Sequence, residues 1–294
     1  MNWTLIRLLQ RVPGFRWLAA RLHPVWFFRA TRWCMILAGC FGVRARRRAW
    51  IFRAALRDRF SERDLRMRGR RYLFYSRLYK DLEILWSNWH DWHSDWIILE
   101  GESYLRSALD QGKGAVLISG HNFGFSKLVG PVLAGRGYKV YRGGNGGVRA
   151  VARRSRWGET AAVSWQYLDY GRDDYWHRVR LLRTVQNLLS VNEIVHVSPR
   201  GFRTGEQDMA MEIFGRRYFL DARWFRIFQM CQAPVLPCFV VGHGNDRVKV
   251  IIHPPIEPGI TTAQQFGKIL SDYITRFPEC GRLWKNLHID RSQW

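Results

Sequence analysis

Ala115-Val116-Leu117-Ile118-Ser119-Gly120-His121-Asn122-Phe123-Gly124 decides the fold class of this chain. An apolar, β-favouring run ends at a histidine beside glycines, and beyond it residues 125–133 read as helix. A continuously apolar strand is one buried on both faces, and the turns after such strands are where open α/β sheets place their chemistry. Histidine titrates near neutrality, so His121 at a strand end is a candidate proton carrier. The same position also suits a histidine that caps or lines an ordinary turn.

Working outward, short apolar runs at 139–141, 194–197, 235–241 and 248–252 read as further strands. Periodic stretches at 104–111, 175–189, 222–231 and 263–277 read as helices, and the alternation predicts an α/β fold with a mixed central sheet flanked by helices. Upstream, residues 62–92 keep a helical period, with Leu65, Tyr72, Phe74, Tyr75 and Leu78 in a broad apolar stripe among basic residues. With no internal repeat and no low-complexity linker, the chain divides into an N-terminal amphipathic helical extension, residues 1–60, and an α/β domain, residues 61–294.

The 294 residues are 47% hydrophobic, which is enough to bury a sizeable core and excludes a disordered chain. A formal charge of +23, mostly arginine, accompanies 15 tryptophans. That pairing suits a surface that meets anionic phosphates while aromatic rings sit at an apolar boundary. The five cysteines are an odd count without paired short spacing, which argues against a disulfide framework and for a reducing compartment. Cys231 and Cys238 read as core residues, and although His243 follows them no fourth ligand is evident, so neither a metal nor a bound cofactor is expected.

The N-terminal segment distinguishes lipid from nucleic acid as the anionic partner. Arginines at 7, 11, 16, 21, 29 and 32 alternate with Trp3, Leu5, Leu8, Phe15, Trp17, Trp26 and Phe27, and no acidic residue precedes Asp58. Pro13-Gly14 breaks the segment into two interfacial helices. The longest apolar run, residues 33–43, falls well short of the ~20 residues a bilayer-crossing helix needs. It is followed by Arg44, Arg46, Arg47 and Arg48. No signal-peptide cleavage pattern follows. The expectation is a peripheral protein on the cytoplasmic face of an inner membrane, docked on anionic lipid.

Two glycine-bearing turns remain. Gly143-Gly144-Asn145-Gly146-Gly147 lacks the order of a dinucleotide fingerprint or a P-loop, and reads as a flexible turn. Pro199-Arg200-Gly201-Phe202-Arg203-Thr204-Gly205 follows a strand and sets two guanidiniums where they could grip phosphate or carboxylate.

These segments together resemble the lysophospholipid acyltransferase superfamily, in its lipid A late-acyltransferase (lauroyl/myristoyl transferase) branch. Residues 102–130 look like its first block, a strand followed by His-x4-Asp/Glu and Leu-Leu-Gly, with His121 and Leu128-Val129-Gly130 in those places. Pro199-Arg200-Gly201-Phe202-Arg203 is similar to the Pro-Glu-Gly-Thr-Arg turn, and Ile213-Phe214-Gly215-Arg216 to a Phe-Phe-Gly-Arg segment. Ala233-Pro234-Val235-Leu236-Pro237 and Pro254-Pro255-Ile256-Glu257 resemble further blocks, and Phe277-Pro278-Glu279 through Trp284-Lys285 resembles the C-terminal one.

The resemblance implies a glycerolipid acyltransferase-like fold. It also implies transfer of an acyl group from an acyl-carrier-protein or coenzyme A thioester to a hydroxyl or amine of a membrane-associated lipid or glycolipid. His121 would be the general base, with Asn122, Gly124, Arg200, Gly201 and Arg203 as substrate contacts. Arg203 would hold a phosphate of the acceptor or of the phosphopantetheine donor. The chain departs from the pattern at the carboxylate, because five residues after His121 stands Ser126, and registering on Leu128-Val129-Gly130 gives Lys127 instead. Ser126 can accept a hydrogen bond from the imidazole but cannot stabilise an imidazolium as an anion does. Glu159, Glu206, Asp208, Glu212 and Asp221 are possible substitutes, Asp208 and Glu212 being the best placed in sequence. Three readings stand: an acyltransferase with a relocated or absent acid, an inactive relative that binds lipid or carrier protein for a biosynthetic assembly, and a nucleic-acid-binding protein. The last rests on charge alone, so nucleic acid is not an expected partner.

Overall fold

The computed structural model describes residues 29, 43–85, 96–120, 123–144, 165–169, 175–199, 208–213, 216–221, 223–244, 247–256, 259 and 261–281. The chain separates into two compact units. One comprises residues 1–89, 242–248 and 277–294, and the other residues 90–241 and 249–276.

Apart from residues 242–244 and 247–248, which fall at the adjoining ends of two strands, the first unit is helical where it is described. Helix α1 spans Val43–Leu56 and α2 spans Glu62–Leu85. α2 starts at a serine cap: the Asp64 N–H donates to Ser61 Oγ at 3.2 Å, and the Ser61 hydroxyl donates back to the Asp64 carboxylate at 2.7 Å. Glu62 and Asp64 also complement the positive end of the helix. Phe52 stacks on Tyr72 with ring centroids 4.8 Å apart, and Leu56 and Leu65 are buried with them. Phe74 and Tyr75 extend this core, as the stripe read from the sequence requires, and Leu73, outside that stripe, is buried with them, while residues 86–92 of the expected helix lie outside the described residues. The opposite face of α1 presents Val43, Arg46, Arg47 and Trp50 to solvent. Buried Glu279 accepts a hydrogen bond from Arg68 Nη1 at 2.8 Å and has Arg71 Nη1 at 3.9 Å. Its position in the 3-10 turn Pro278–Cys280 thereby joins that turn to α2.

The second unit is built on a sheet. In chain order its elements are β1 (Ile97–Glu100), α3 (Glu102–Leu109), β2 (Ala115–Ile118), α4 (Val129–Ala134), β3 (Val140–Gly144), β4 (Trp165–Asp169), α5 (Tyr175–Ser190) and β5 (Ile194–Val197). There follow β6 (Asp208–Ile213), β7 (Arg216–Asp221), α6 (Arg223–Cys231), β8 (Val235–His243), β9 (Arg247–Ile252) and α7 (Thr262–Arg276). Seven strands form one sheet in the order β1-β9-β8-β2-β5-β3-β4, and β6 pairs with β7 in a separate antiparallel hairpin lying against α7. β2 runs parallel to both β5 and β8, and β3 runs parallel to both β5 and β4. β9 returns from β8 after a three-residue connection and the bridge Val235↔Ile256 is antiparallel, so the sheet is mixed. The chain is thus α/β, with a mixed sheet flanked by helices.

The central strands are apolar because helices cover both faces of a parallel sheet. Every residue of β2 and of β5 is buried. The expected strands at 115–119, 194–197, 235–241 and 248–252 are found within two residues of their predicted ends. The glycine turn at 143–147 is corrected: Gly143 and Gly144 continue β3, and only residues 145–147 lie outside the described residues. The predicted helix at 125–133 is also corrected. It is a 3-10 turn, Ser126–Leu128, followed by α4, in which Pro131 falls in the first turn, where its missing N–H breaks no helical bond. Strands β1, β4, β6 and β7 are additional to the sequence reading, while helix α1 falls within the helical extension expected over residues 1–60.

One topological feature positions the site. The chain leaves β2 toward β3, passing β5, whereas it leaves β5 toward β8, passing β2. Adjacent parallel strands whose onward connections diverge form a switch point, with a crevice outside their carboxyl ends. Those ends lead into His121 on one strand and Pro199 on the other.

Candidate functional site at the ends of two parallel strands

The segment after β2 is fixed on both sides of His121 and Asn122, which themselves lie outside the described residues. Before them, the Ser119 N–H donates to the Val197 carbonyl at 2.9 Å, continuing the β2–β5 ladder by one rung. After them, Phe123 N–H donates to the Gly120 carbonyl at 3.3 Å and Phe125 N–H to the Val240 carbonyl at 2.9 Å. Phe123 is buried edge-on against Phe239, with centroids 6.0 Å apart and planes at 78°. Gly124 has φ of +60°, and a Cβ there would collide with the Val240 carbonyl oxygen. Glycine at 124 is therefore a requirement of the backbone's path, whatever contacts its neighbours make.

Between the two strand ends lies a buried polar cluster that the sequence reading did not single out. In a parallel sheet, register partners share a face, as do residues two apart on one strand. Leu117 pairs with His196 and Arg142 pairs with His196. Leu117, Ser119, His196, Ser198 and Arg142 consequently share one face. His196 is 0% exposed, and its Nε2 lies 2.9 Å from Ser119 Oγ, which in turn is 2.7 Å from Ser198 Oγ. Ser119 Oγ also approaches the Val197 carbonyl at 3.5 Å. His196 Nδ1 is buried and has no hydrogen-bond partner among the described residues. Burial, and secondarily the Arg142 charge, hold the imidazole well below its ordinary pKa, so the ring is neutral. The sequence signal was present: a histidine inside the otherwise apolar run of β5, two residues before Ser198.

Beneath Phe123, an aromatic layer joins β8 to α7. Phe239 stacks on Tyr273 at 4.3 Å and on Phe266 at 6.1 Å, and His253 Nε2 lies 2.9 Å from the Tyr273 hydroxyl. Burial pushes the Tyr273 phenol up to about 12, and burial followed by the Arg276 charge lowers the His253 imidazole. Both groups are neutral at pH 7, and this layer acts as a packed floor.

The expected site residues are distributed as follows. Ser126 is buried at the start of its 3-10 turn, and Gly124 is held as described above. Arg200, Gly201 and Arg203, with Glu159 and Glu206, lie outside the described residues. Asp208 and Glu212 both fall on β6, where Asp208 is in register with Asp221 of β7 and Glu212 with Arg217. Two of the candidate acids are thus brought opposite one another on the hairpin. The sequence carries no Asp or Glu between Asp110 and Glu159, so neither β2 nor the segment after it supplies a carboxylate.

Cys231 is half-buried and Cys238 and Cys280 are buried, all three as free thiols. Burial raises each thiol above its ordinary pKa, which keeps it protonated. Among the described residues, no three His, Cys, Asp or Glu side chains are grouped to hold a metal ion, and no helix is long and apolar enough to cross a membrane. No model of a known protein family matches this chain, and no curated protein matches it.

Proposed function

We propose that this protein transfers an acyl group from a carrier-protein or coenzyme A thioester to a hydroxyl or amine of a membrane-associated lipid, with His121 as the general base. The observation that carries this reading is the switch point between β2 and β5. The histidine segment and the two-arginine turn continue from neighbouring parallel strands, the arrangement a base and an anion grip need to act on one substrate.

In this mechanism the neutral imidazole of His121 takes the acceptor's proton as its oxygen or nitrogen attacks the thioester carbonyl. The carbonyl becomes an oxyanion, the C–S bond breaks, and the imidazolium returns the proton to the departing thiolate. Donors at the strand ends would stabilise the oxyanion, and Arg200 and Arg203 would hold a substrate phosphate. No carboxylate stands in the segment that carries His121, so the imidazolium depends on a partner from elsewhere. Asp208 and Glu212, on the first strand after the arginine turn, remain the candidates.

The N-terminal alternation of arginine with tryptophan, together with the Arg46, Arg47 and Trp50 face of α1, supports peripheral docking on anionic lipid at the cytoplasmic face of an inner membrane. An acidic acyl-carrier protein would be drawn to the same basic surface. The second reading, an inactive lipid- or carrier-binding subunit, is favoured by one observation: the acid-free stretch between Asp110 and Glu159. Incubation of the purified protein with each acyl thioester and a total lipid extract, followed by mass spectrometry of the lipids, distinguishes the two. A new acylated lipid supports the transferase; binding of lipid without product supports the subunit.

A further inference from the structure

We propose that the outer face of α2, built from Arg63, Arg66, Met67 and Arg70, docks the acidic acyl-carrier protein that delivers the acyl group. The inference deepens the acyltransferase reading by naming where its donor binds, and it rests on that reading for the identity of the partner. Leu65, Gly69 and Tyr72 recur on one side of α2, and that side meets α1: Tyr72 stacks on Phe52, and a methyl on Gly69 would touch Phe52 and Arg53. Arg63, Arg66, Met67 and Arg70 fall on the other side of the helix, and all four are exposed, Met67 at 45%. α1 likewise turns its exposed Val43, Arg46, Arg47 and Trp50 away from the side that carries Phe52 and Leu56. The two outer faces of the hairpin therefore point in opposite directions. A hairpin that lies on lipid through α1 leaves the α2 face open to a soluble partner.

The charges on this face are not those that stabilise a helix. Arg68 and Arg71, on a neighbouring side of α2, reach the buried Glu279 carboxylate, whereas Arg63, Arg66 and Arg70 project into solvent along ~10 Å of helix. Arg63 lies in the first turn, where the helix dipole disfavours positive charge. Arg66 and Arg70 are like charges four residues apart, a spacing that destabilises a helix. Glu62 approaches Arg66 at 3.5 Å, but their side chains are 67% and 64% exposed, so water screens the pair and the face stays basic. Arginine and methionine are the residue types enriched in protein contacts, and a flexible thioether adapts to the surface it meets. The four residues include no tryptophan, phenylalanine or leucine, the side chains that a helix lying in lipid buries. Two turns of one helix cover less than the ~800 Å² a side of a stable complex, which suits a carrier that must leave after each transfer.

The test uses the full chain and an acyl-carrier protein loaded with a long-chain acyl group. Binding of that carrier, sedimentation with anionic vesicles, and acyl transfer are compared for wild type, the double variant Arg63→Glu/Arg70→Glu and the double variant Arg46→Glu/Arg47→Glu. Thermal unfolding checks that each variant folds. The α2 variant is expected to bind the carrier about tenfold or more weakly, with vesicle binding and unfolding temperature as in wild type. Its KM for the carrier thioester rises by a similar factor while kcat is kept. The α1 variant shows the reverse pattern, weaker on vesicles and unchanged on the carrier. Carrier affinity of the wild type falls as salt is raised. Equal carrier affinity in wild type and the α2 variant, or no carrier binding by wild type, would overturn the proposal. Loss of vesicle binding in the α2 variant at unchanged carrier affinity would overturn it too and make the face a lipid contact. A wild type that binds the carrier through this face yet transfers no acyl group would retire the acyltransferase reading and leave the docking surface standing.

Discussion

Phe123 stands edge-on to Tyr273, with ring centroids 6.5 Å apart and planes at 82°. This contact ties the segment that follows His121 to helix α7, so the loop's position is set by packing in the core. Phe123→Ala should cost ~3–5 kcal/mol by emptying that space. Phe123→Leu, which keeps most of the volume, should cost less than about 1.5 kcal/mol. Chemical denaturation of the three proteins checks the difference; equal midpoints for wild type and Phe123→Ala would mean the ring anchors nothing.

Gly124→Ala is a harsher test of the same loop. An added methyl meets a backbone carbonyl, which cannot rotate away as a side chain can, and alanine at positive φ adds about 1–2 kcal/mol of strain. The expected outcome is a destabilisation of at least ~2 kcal/mol, read by thermal unfolding, together with loss of any acyl transfer. A fully stable Gly124→Ala would show that the loop takes another path.

The buried imidazole of His196 sets a pH dependence. Its folded pKa lies below the ordinary 6.5, so the unfolded chain binds the proton first as the pH falls. The contribution is complete above about 6.5 and is lost below it, at up to ~1.4 kcal/mol per pH unit, until the folded ring protonates. Stability measured from pH 7.5 to 5.5 should therefore fall more steeply in wild type than in His196→Leu. A gap between the two proteins that stays constant over this range would contradict a neutral, buried His196.

Deleting residues 1–32 should weaken binding to anionic vesicles, because that segment alternates arginine with tryptophan and carries no acidic residue. Sedimentation with vesicles of mixed anionic and zwitterionic lipid measures it. Full binding by the truncated chain would assign docking to another surface.

The parts of this fold that could be read from sequence were those whose burial is complete. β2, β5 and the first residues of β8 are continuous apolar runs because a parallel sheet is covered on both faces, and their boundaries followed from composition alone. β6 was missed although Met209, Met211 and Ile213 alternate with other residues in the period of a half-buried strand. Asp208 and Glu212 in the same tract dilute that apolar pattern. The site was legible at the level of one strand at a time. Ser119, His196 and Ser198 lie far apart in the chain, and only the register of β2 on β5 makes them neighbours. Pairing of distant strands is tertiary information that local patterns do not carry.

The central claim is that His121 moves the acceptor's proton. Release of free thiol from acyl-carrier-protein and coenzyme A thioesters, measured with total lipid extract for wild type and His121→Ala, addresses it most directly. The account predicts acceptor-dependent release by wild type, with a new acylated lipid. It predicts a rate at least ~10²-fold lower in His121→Ala at unchanged thermal stability. Equal release by the two proteins, or none by wild type, would contradict it.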